Sequence, residues 1–316
     1  MRMSNQAEYS FGIDVGGTTV KLGLFQSDGI IKEKWEIPTR IQNAGEKIIP
    51  DIAETVLAKI AKYNLEKSNI TGIGMGIPAP VNSKGIVQNT ANIGWGYKEV
   101  RRELEELTRL SVKVANDANV AALGEMWLGG GKGYCNVVLV TLGTGVGGGI
   151  VVRGKDIVGE NGAGGEIGHI TVEQDEEEYC GCGKRGCLEQ YASATGIVRI
   201  AKHRLTRDEA PSVLREQELS AKAVFDAVKE NDDIAIEIAK TFGRYLGRAF
   251  ANIATIIDPA VFVIGGGVSK AGEILIPFIK QPYLESSFFA NKEVKFELAK
   301  LGNDAGICGA AKLIIS

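Results

Sequence analysis

At 316 residues the chain is long enough for two cores of ordinary domain size, and its 44% apolar and 24% charged residues are those of a soluble globular protein. A net charge of −3 gives no electrostatic case for binding nucleic acid or an anionic membrane. Glycine is the outlier, 41 residues or about 13% against a usual ~7%, and its clustering predicts ligand-cradling loops rather than low complexity.

The first ten residues, MRMSNQAEYS, hold no apolar run and read as neither signal peptide nor anchor. The longest uncharged window, Tyr134–Val152, contains glycines, threonines and an asparagine and splits into two β-rich runs, so no membrane span is expected. Five cysteines without a secretory signal predict a reducing cytoplasm, where clustered thiols bind metal or catalyse.

Three strands are predicted between Tyr9 and Pro38, with turns at Gly16–Gly17 and Ser27–Gly29. Residues 43–63 read as a helix opening on Asn43-x-x-Glu46, a pattern resembling a capping box. A short strand, Thr71–Ile77, ends in Pro-Ala-Pro; an amphipathic helix, Tyr97–Leu107, precedes the strand Ser111–Ala115. Then the pattern recurs: strand Asn136–Leu142, turn Gly143–Gly147, strand Gly148–Val152, turn Arg153–Asp156. Setting Asp14 on Thr141, an offset of 127 residues, places Gly16 on Gly143, Leu24 on Val151 and Ile31 on Val158, which predicts an internal duplication. Beyond residue 190 the chain reads as helices Thr195–Leu205, Ser220–Glu230 and Asp232–Ile257, a buried strand Ala260–Ile264 running into Gly265-Gly266-Gly267 and a helix, a strand Lys292–Ala299 and a last helix Gly306–Ile315. The stripe from Ile234 to Ile257 on the longest helix is expected to face a core or a dimer partner.

Several constellations carry chemistry. Asp14-Val-Gly-Gly-Thr-Thr-Val-Lys21 is a hairpin turn whose paired glycines let backbone N–H groups approach an anion, with the hydroxyls of Thr18 and Thr19 as further donors and Asp14 able to hold Mg²⁺ through water. Thr141-Leu-Gly-Thr-Gly145 repeats it; one such turn is ordinarily only a turn, but two equivalent copies point to a nucleotide cradle. Gly143-x-Gly145-x-x-Gly148 also fits the dinucleotide fingerprint, but a strand follows where that fingerprint needs a helix, and no Walker A loop occurs. Gly266 and Gly267 form a third candidate, facing adenosine or an α-phosphate, or a plain strand-to-helix turn. At Asn116-Asp117-Ala-Asn119 two readings stand side by side: helix caps, or Asp117 accepting a substrate hydroxyl proton while Asn116 holds other hydroxyls.

The stretch 161–189 gathers three of the five cysteines and one of the two histidines. His169 with Cys180-x-Cys182-x4-Cys187 offers an imidazole and three thiolates, the ligand set of a closed tetrahedral structural zinc site; the bland alternative is free thiols. Glu166 and Glu189 suit a polyol, whose hydroxyl protons need fixed acceptors. The acidic run Glu173–Glu178 reads as a solvated loop, Cys135 and Cys308 as small buried residues, and His203 as surface.

Taken together, DVGGTTVKLG, GIGMGIPAPV, NDANVAALGE, TLGTGVGGGI, GAGGEIGH and CGCGKRGCLE resemble the ROK family of sugar kinases and sugar-responsive repressors, and FVIGGGVSKAG and LGNDAGICGAA carry the resemblance to the C-terminus. Within the family the chain is most similar to bacterial ATP-dependent glucokinases. The resemblance implies an actin-like ATPase (ribonuclease H-like) fold: two duplicated α/β domains with an interdomain cleft, here residues 1–120 with 302–316 and residues 121–301. It implies Asp117 as general base for the sugar 6-hydroxyl and Asn92, Asn116, Glu166, His169 and Glu189 as hexose contacts. Asp14, Gly16, Gly17, Thr18, Thr144, Gly145, Gly266 and Gly267 would handle Mg-ATP, with Thr19 and Lys21 of the same hairpin, and His169, Cys180, Cys182 and Cys187 would bind zinc. A cytoplasmic homodimer acting on glucose and ATP, with no nucleic acid or membrane partner, is the expectation. The acidic run between His169 and Cys180 departs from the Pro/Gly-containing loop more usual in the family.

Two alternatives remain. Another hexose (fructose, allose, mannose or an N-acetylhexosamine) would use the same carboxylates. A sugar-sensing regulator would need a helix-turn-helix of several tens of residues, for which a phosphate loop starting at residue 14 leaves no room.

Overall fold

The computed structural model describes residues 8–90 and 92–316. Two five-stranded sheets organise them. In the first, β1 (Tyr9–Val15), β2 (Thr19–Gln26) and β3 (Ile31–Pro38) pair antiparallel, while β4 (Ile70–Ile77) and β5 (Val112–Asn116) add in parallel beyond β1, giving the order β3-β2-β1-β4-β5. The second runs β10-β9-β6-β7-β8, from β6 (Val137–Leu142), β7 (Val146–Val152), β8 (Lys155–Asp156), β9 (Val261–Gly265) and β10 (Lys295–Leu298), with β9 parallel to both β6 and β10. Read in reverse, each strand takes the place of the strand five earlier in the chain. This is the duplicated α/β fold of the actin-like ATPases.

The offset of 127 places β1 and β2 on β6 and β7 within a residue, but it fails at the third strand. Arg153 (φ 51°) and Gly154 (φ 77°) close a two-residue hairpin at once, so β8 pairs at Lys155–Asp156 and Val158 lies beyond it.

The chain packs as two compact units. Gly149–Gly165 and Lys300–Ser316 join the chain up to Cys135, and Asn136–Gly148 joins Glu166–Ala299. The boundary expected near residue 120 therefore falls at Cys135, because α3 (Asp117–Leu128) stays with the first unit. There it packs against the C-terminal helix, α8 (Ala305–Ile315), where a Cβ on Gly124 would lie 2.3 Å from the Ala305 carbonyl oxygen and one on Gly309 1.6 Å from that of Val120. The same helix beds on β1 and β4, where a Cβ on Gly12 or Gly74 would collide with the backbone of Ile307 or Ala310. These glycines serve helix packing, not ligand loops. Glu125, 1% exposed, ties the corner: its carboxylate accepts the backbone N–H groups of Gly130 (2.7 Å), Lys300 (3.0 Å) and Leu301 (2.9 Å).

The core of the first unit gathers Phe11, Ile13, Leu22, Ile73 and Met75 from the sheet with Ile52 and Val56 from α1 (Ile48–Lys62) and Leu104 from α2 (Val100–Thr108). The expected capping box at Asn43 does not form. Asn43 (φ 50°) and Ala44 (φ 55°) are left-handed, Asn43 Nδ2 donates to Glu46 Oε1 at 3.4 Å, and α1 starts only at Ile48, with Pro50 in its first turn where no N–H is needed.

In the second unit α4 (Ala194–Leu205) and α5 (Ala221–Lys229) pack on α6 (Asp233–Ile257), and α6 packs on α7 (Leu275–Ser286). The α6 stripe faces this core, with Ile234, Ile238, Phe242, Leu246, Phe250 and Ile253 all buried. The helix expected straight after Gly265–Gly267 is a single 3₁₀ turn, Val268–Ala271, before α7. Among the described residues no helix is long and apolar enough to cross a membrane.

Candidate functional site

In the first unit the β1–β2 turn is closed by the Gly16 N–H donating to the Thr19 carbonyl (3.0 Å) and braced by Thr39, whose hydroxyl donates to the Gly16 carbonyl (2.7 Å) and whose N–H donates to that of Thr18 (2.9 Å). Gly17 and Thr18 are exposed. Asn92 lies beside the turn, since a Cβ on Gly17 would sit 3.5 Å from the Asn92 Cβ. Asp14, the penultimate residue of β1, pairs with Lys21 of β2. Its carboxyl packs on Gly306 of α8, where a Cβ would come within 2.5 Å. Burial pushes the Asp14 carboxyl above its usual range and the Lys21 charge draws it partly back.

Strand β5 delivers Asn116 and Asp117 to the head of α3. The helix-cap reading of this junction is seen directly. Asn116 is the N-cap, its Oδ1 accepting from the N–H groups of Ala118 (2.9 Å) and Asn119 (3.4 Å) while Nδ2 donates to the Ala79 carbonyl (3.3 Å). Asp117 is half-buried in the first helical position, with Oδ1 accepting from the Ala118 N–H at 2.8 Å. Sequence reasoning missed the weight carried by Asn119. It is 1% exposed, donates to the Gly164 carbonyl (3.3 Å) and so ties the Asp117 turn to the glycine-rich segment ahead of Glu166; its Oδ1 has no protein partner among the described residues.

In the second unit the β6–β7 turn is closed by the Gly143 N–H donating to the Gly145 carbonyl (3.0 Å). The head of α4 holds it in place, with the Ala194 N–H on the Gly143 carbonyl (2.8 Å) and the Thr195 hydroxyl on that of Thr144 (2.7 Å). Strand β7 follows directly, as the exclusion of the dinucleotide fingerprint required. Gly266 (φ +83°) lies against the start of this turn: a Cβ there would be 2.5 Å from the Leu142 carbonyl oxygen. Gly267 next to it faces open space.

His169, Cys180, Cys182 and Cys187 offer four ligand atoms, all within 4.8 Å of one another. Cys182 Sγ and Cys187 Sγ are 3.6 Å apart, and Cys180 Sγ is 3.8 Å from His169 Nδ1. Tetrahedral zinc with bonds of about 2.3 Å to sulfur and 2.0 Å to nitrogen requires edges of roughly 3.5–3.8 Å, so the residues fit the ion. Without a cation, burial pushes the Cys180 thiol up to about 12 and raises Cys187, while the backbone N–H of Lys184 lowers Cys182; a bound dication offsets the cost of ionising all three. With Nδ1 turned to the thiols, Nε2 of His169 is left for another partner.

Glu189 opens a single helical turn, Glu189–Ala192, directly after the cysteines. Its Oε1 lies 2.8 Å from Cys180 Sγ and 3.7 Å from His169 Nδ1, and its Oε2 is 2.6 Å from where a Gly145 Cβ would stand. One carboxylate thus touches both the thiol cluster and the glycine turn. Glu166 is exposed at the head of the 3₁₀ turn that presents His169, whose N–H donates to the Glu166 carbonyl (3.1 Å).

Two expectations change. The acidic run is not simply solvated: Glu176 is 8% exposed, bonded by the Tyr191 hydroxyl and the Arg199 guanidinium, and Glu173 Oε2 accepts from the Tyr245 hydroxyl (3.0 Å). Burial pushes the Glu176 carboxyl up, but Tyr191 and Arg199 outweigh it and hold the group at about 2. Cys135 is exposed in the loop ahead of β6, and only Cys308 is buried as expected.

Residues 10–316 match the model of the ROK family. The chain is 45% identical to a glucokinase of Halalkalibacterium halodurans over 96% of this chain and 94% of that one. Among solved structures it is similar to a ROK hexokinase from Thermus thermophilus (TM-score 0.80, 32% identity, 97% of each chain). It is also similar to a ROK family glucokinase from Streptomyces griseus in complex with glucose and AMPPNP (TM-score 0.70, 32% identity, 96% of this chain and 98% of that one). A match that begins within β1 and runs one residue past α8, joined to a relative nearly half identical across the same span, leaves one assignment: the chain belongs to the ROK family.

Proposed function

We propose that this chain is an ATP-dependent hexokinase-type phosphotransferase that acts on the 6-hydroxyl of glucose. The observation that carries the reading lies within the second unit, where Glu189 adjoins both the glycine turn at Gly145 and the His169–cysteine cluster. In this reading the carboxylate would accept a sugar hydroxyl beside a turn that would hold phosphate, an adjacency that supports transfer from a triphosphate to a polyol. The similarity to kinases named for glucose supports the substrate.

In this reading Asp117 takes the proton of the 6-hydroxyl as it attacks the γ-phosphorus of ATP, and ADP leaves. Asn92, Asn116, Glu166, Glu189 and the free edge of His169 hold the remaining hydroxyls. The turns at Gly16–Thr19 and Thr144–Gly145 give backbone N–H groups and hydroxyls to the phosphates, with Lys21 nearby and Gly266–Gly267 at the nucleoside end. Asp14 would hold Mg²⁺, whose charge neutralises the phosphate oxygens. Zinc on His169, Cys180, Cys182 and Cys187 would supply structure alone, since a closed four-ligand site has no position for an activated water. The family resemblance further supports a cytoplasmic homodimer.

Asp117→Asn tests the base: phosphorylation should vanish while glucose binding stays measurable by calorimetry, and near-normal turnover would remove Asp117 from the role. The second reading, a kinase for another hexose or an N-acetylhexosamine, is separated by an ADP-release assay across six hexoses with ATP and polyphosphate as donors. Relatives such as the N-acetylgalactosamine kinase of Shewanella, 30% identical, keep that reading in play.

A further inference from the structure

Helices α4 and α6 of the second unit border a cavity of about 400 Å³ that none of the roles above uses. Small-molecule sites commonly occupy roughly 300–1,000 Å³. Four arginines line it, Arg199, Arg204, Arg207 and Arg244, against one carboxylate, Glu237. Two of the four are already engaged: Arg199 pairs with Glu176 and Glu178, and Arg204 with Glu237 and Asp208. Arg207 and Arg244 have no carboxylate partner among the described residues. Arg244 is also oriented, its guanidinium 5.5 Å from the Tyr245 ring centre, and Tyr245 stacks on Tyr191 at 4.1 Å. A guanidinium resting on a ring keeps its in-plane donors for a ligand and loses little freedom on binding.

We propose that this cavity is a second ligand site, and that it takes a sugar phosphate. Two unpaired guanidiniums match the charge of a phosphomonoester dianion, whose three terminal oxygens can accept from both forks. Glu237 opposes a bare anion but accepts hydroxyl protons from a polyol body, and Thr241 one turn along offers its own oxygen. The phosphate therefore takes Arg207 and Arg244 while the sugar hydroxyls take Glu237 and Thr241. The site is not isolated. Tyr191 and Arg199 line it and also hold buried Glu176, in the segment joining His169 to Cys180, and Tyr191 stands two residues past Glu189. Occupancy is expected to shift the apparent hexose affinity.

The experiment is a calorimetric titration of a hexose 6-phosphate into the full chain already saturated with glucose and a non-hydrolysable ATP analogue, so that binding as a reaction product is blocked. About one equivalent should bind, at least about tenfold tighter than inorganic phosphate in a parallel titration, a difference of ~1.4 kcal/mol. The R207Q/R244Q variant should lose that binding by about tenfold or more, while its unliganded turnover stays within about twofold of the parent. R207Q alone, on an exposed side chain, repeats the test with no threat to folding. No binding, undiminished binding to the variants, or inorganic phosphate binding as tightly as the hexose phosphate would each overturn the proposal. Should glucose and the ATP analogue fail to bind in the saturation step, that failure tells against the kinase reading, and the variants still decide the cavity.

Discussion

Glu125 offers the sharpest test of how the first unit is held together. It is buried, and its carboxylate receives the N–H groups of Gly130, Lys300 and Leu301. Glu125→Ala strands one buried donor, the Gly130 N–H, and two part-buried ones at Lys300 and Leu301, each costing about 1–3 kcal/mol when its acceptor is removed and less where water can reach it. Water entering the vacated space recovers part of this, leaving a net loss of about 3–5 kcal/mol, a large share of the ~5–15 kcal/mol of a typical domain. Glu125→Gln keeps the shape but turns an amide NH₂ toward at least one N–H, and should cost about 2–4 kcal/mol. All three tryptophans, Trp35, Trp95 and Trp127, belong to this unit, so indole fluorescence during urea unfolding reads it without interference from the other. Losses below about 1 kcal/mol in both variants would refute the account, because the N–H groups would then have other acceptors.

Three further predictions follow from the second unit. Glu176 has its folded pKa held at about 2, below the ordinary 4.5, so its stabilising effect is present above pH 4.5 and is lost as pH falls toward 2; Glu176→Gln should flatten that part of the acid unfolding curve, removing on the order of 3 kcal/mol at neutral pH, and an unchanged curve would deny the pairing. Elemental analysis should find about one zinc per chain, and Cys187→Ser should lose the metal and weaken glucose binding together; metal-free protein with normal sugar affinity would break that coupling. Gly145→Ala would put a methyl 2.6 Å from Glu189 Oε2 and displace the carboxylate, so the glucose KM should rise about tenfold with kcat changed less, and an unaltered KM would remove Glu189 from sugar binding.

Much of the fold was legible because strands and helices announce themselves by period. The duplication appeared from two glycine turns at a fixed offset, and β6 and β7 fall where the first two strands predict. The third strand did not, because its position depends on how tightly Arg153–Gly154 turns, a local φ choice that a pattern of apolar residues does not encode. The thiol cluster was legible for a different reason: few ligand sets other than a metal's demand three cysteines and a histidine so close in sequence.

Glycine, by contrast, misled. Gly12, Gly74, Gly124 and Gly309 look like the phosphate-loop glycines in a composition count, yet they let helices approach backbone to backbone. The acidic run misled in the same way, since nothing local marks Glu176 as the one that meets Tyr191 and Arg199 from further along the chain. At the Asn116–Asp117 junction the structure bears on one of the two readings: Asn116 caps the helix and Asp117 occupies its first turn.

The bedding of α8 has a consequence for the order in which the protein matures. Its seat, a trough of glycines on β1, β4 and α3, is synthesised early, and the helix that fills it is made only after the whole of the second unit. Until then the nascent first unit carries an open apolar furrow beneath a finished sheet, while every segment of the second has already emerged. The unit begun first therefore closes only after the other has been made in full, and loss of α8 would be felt at β1.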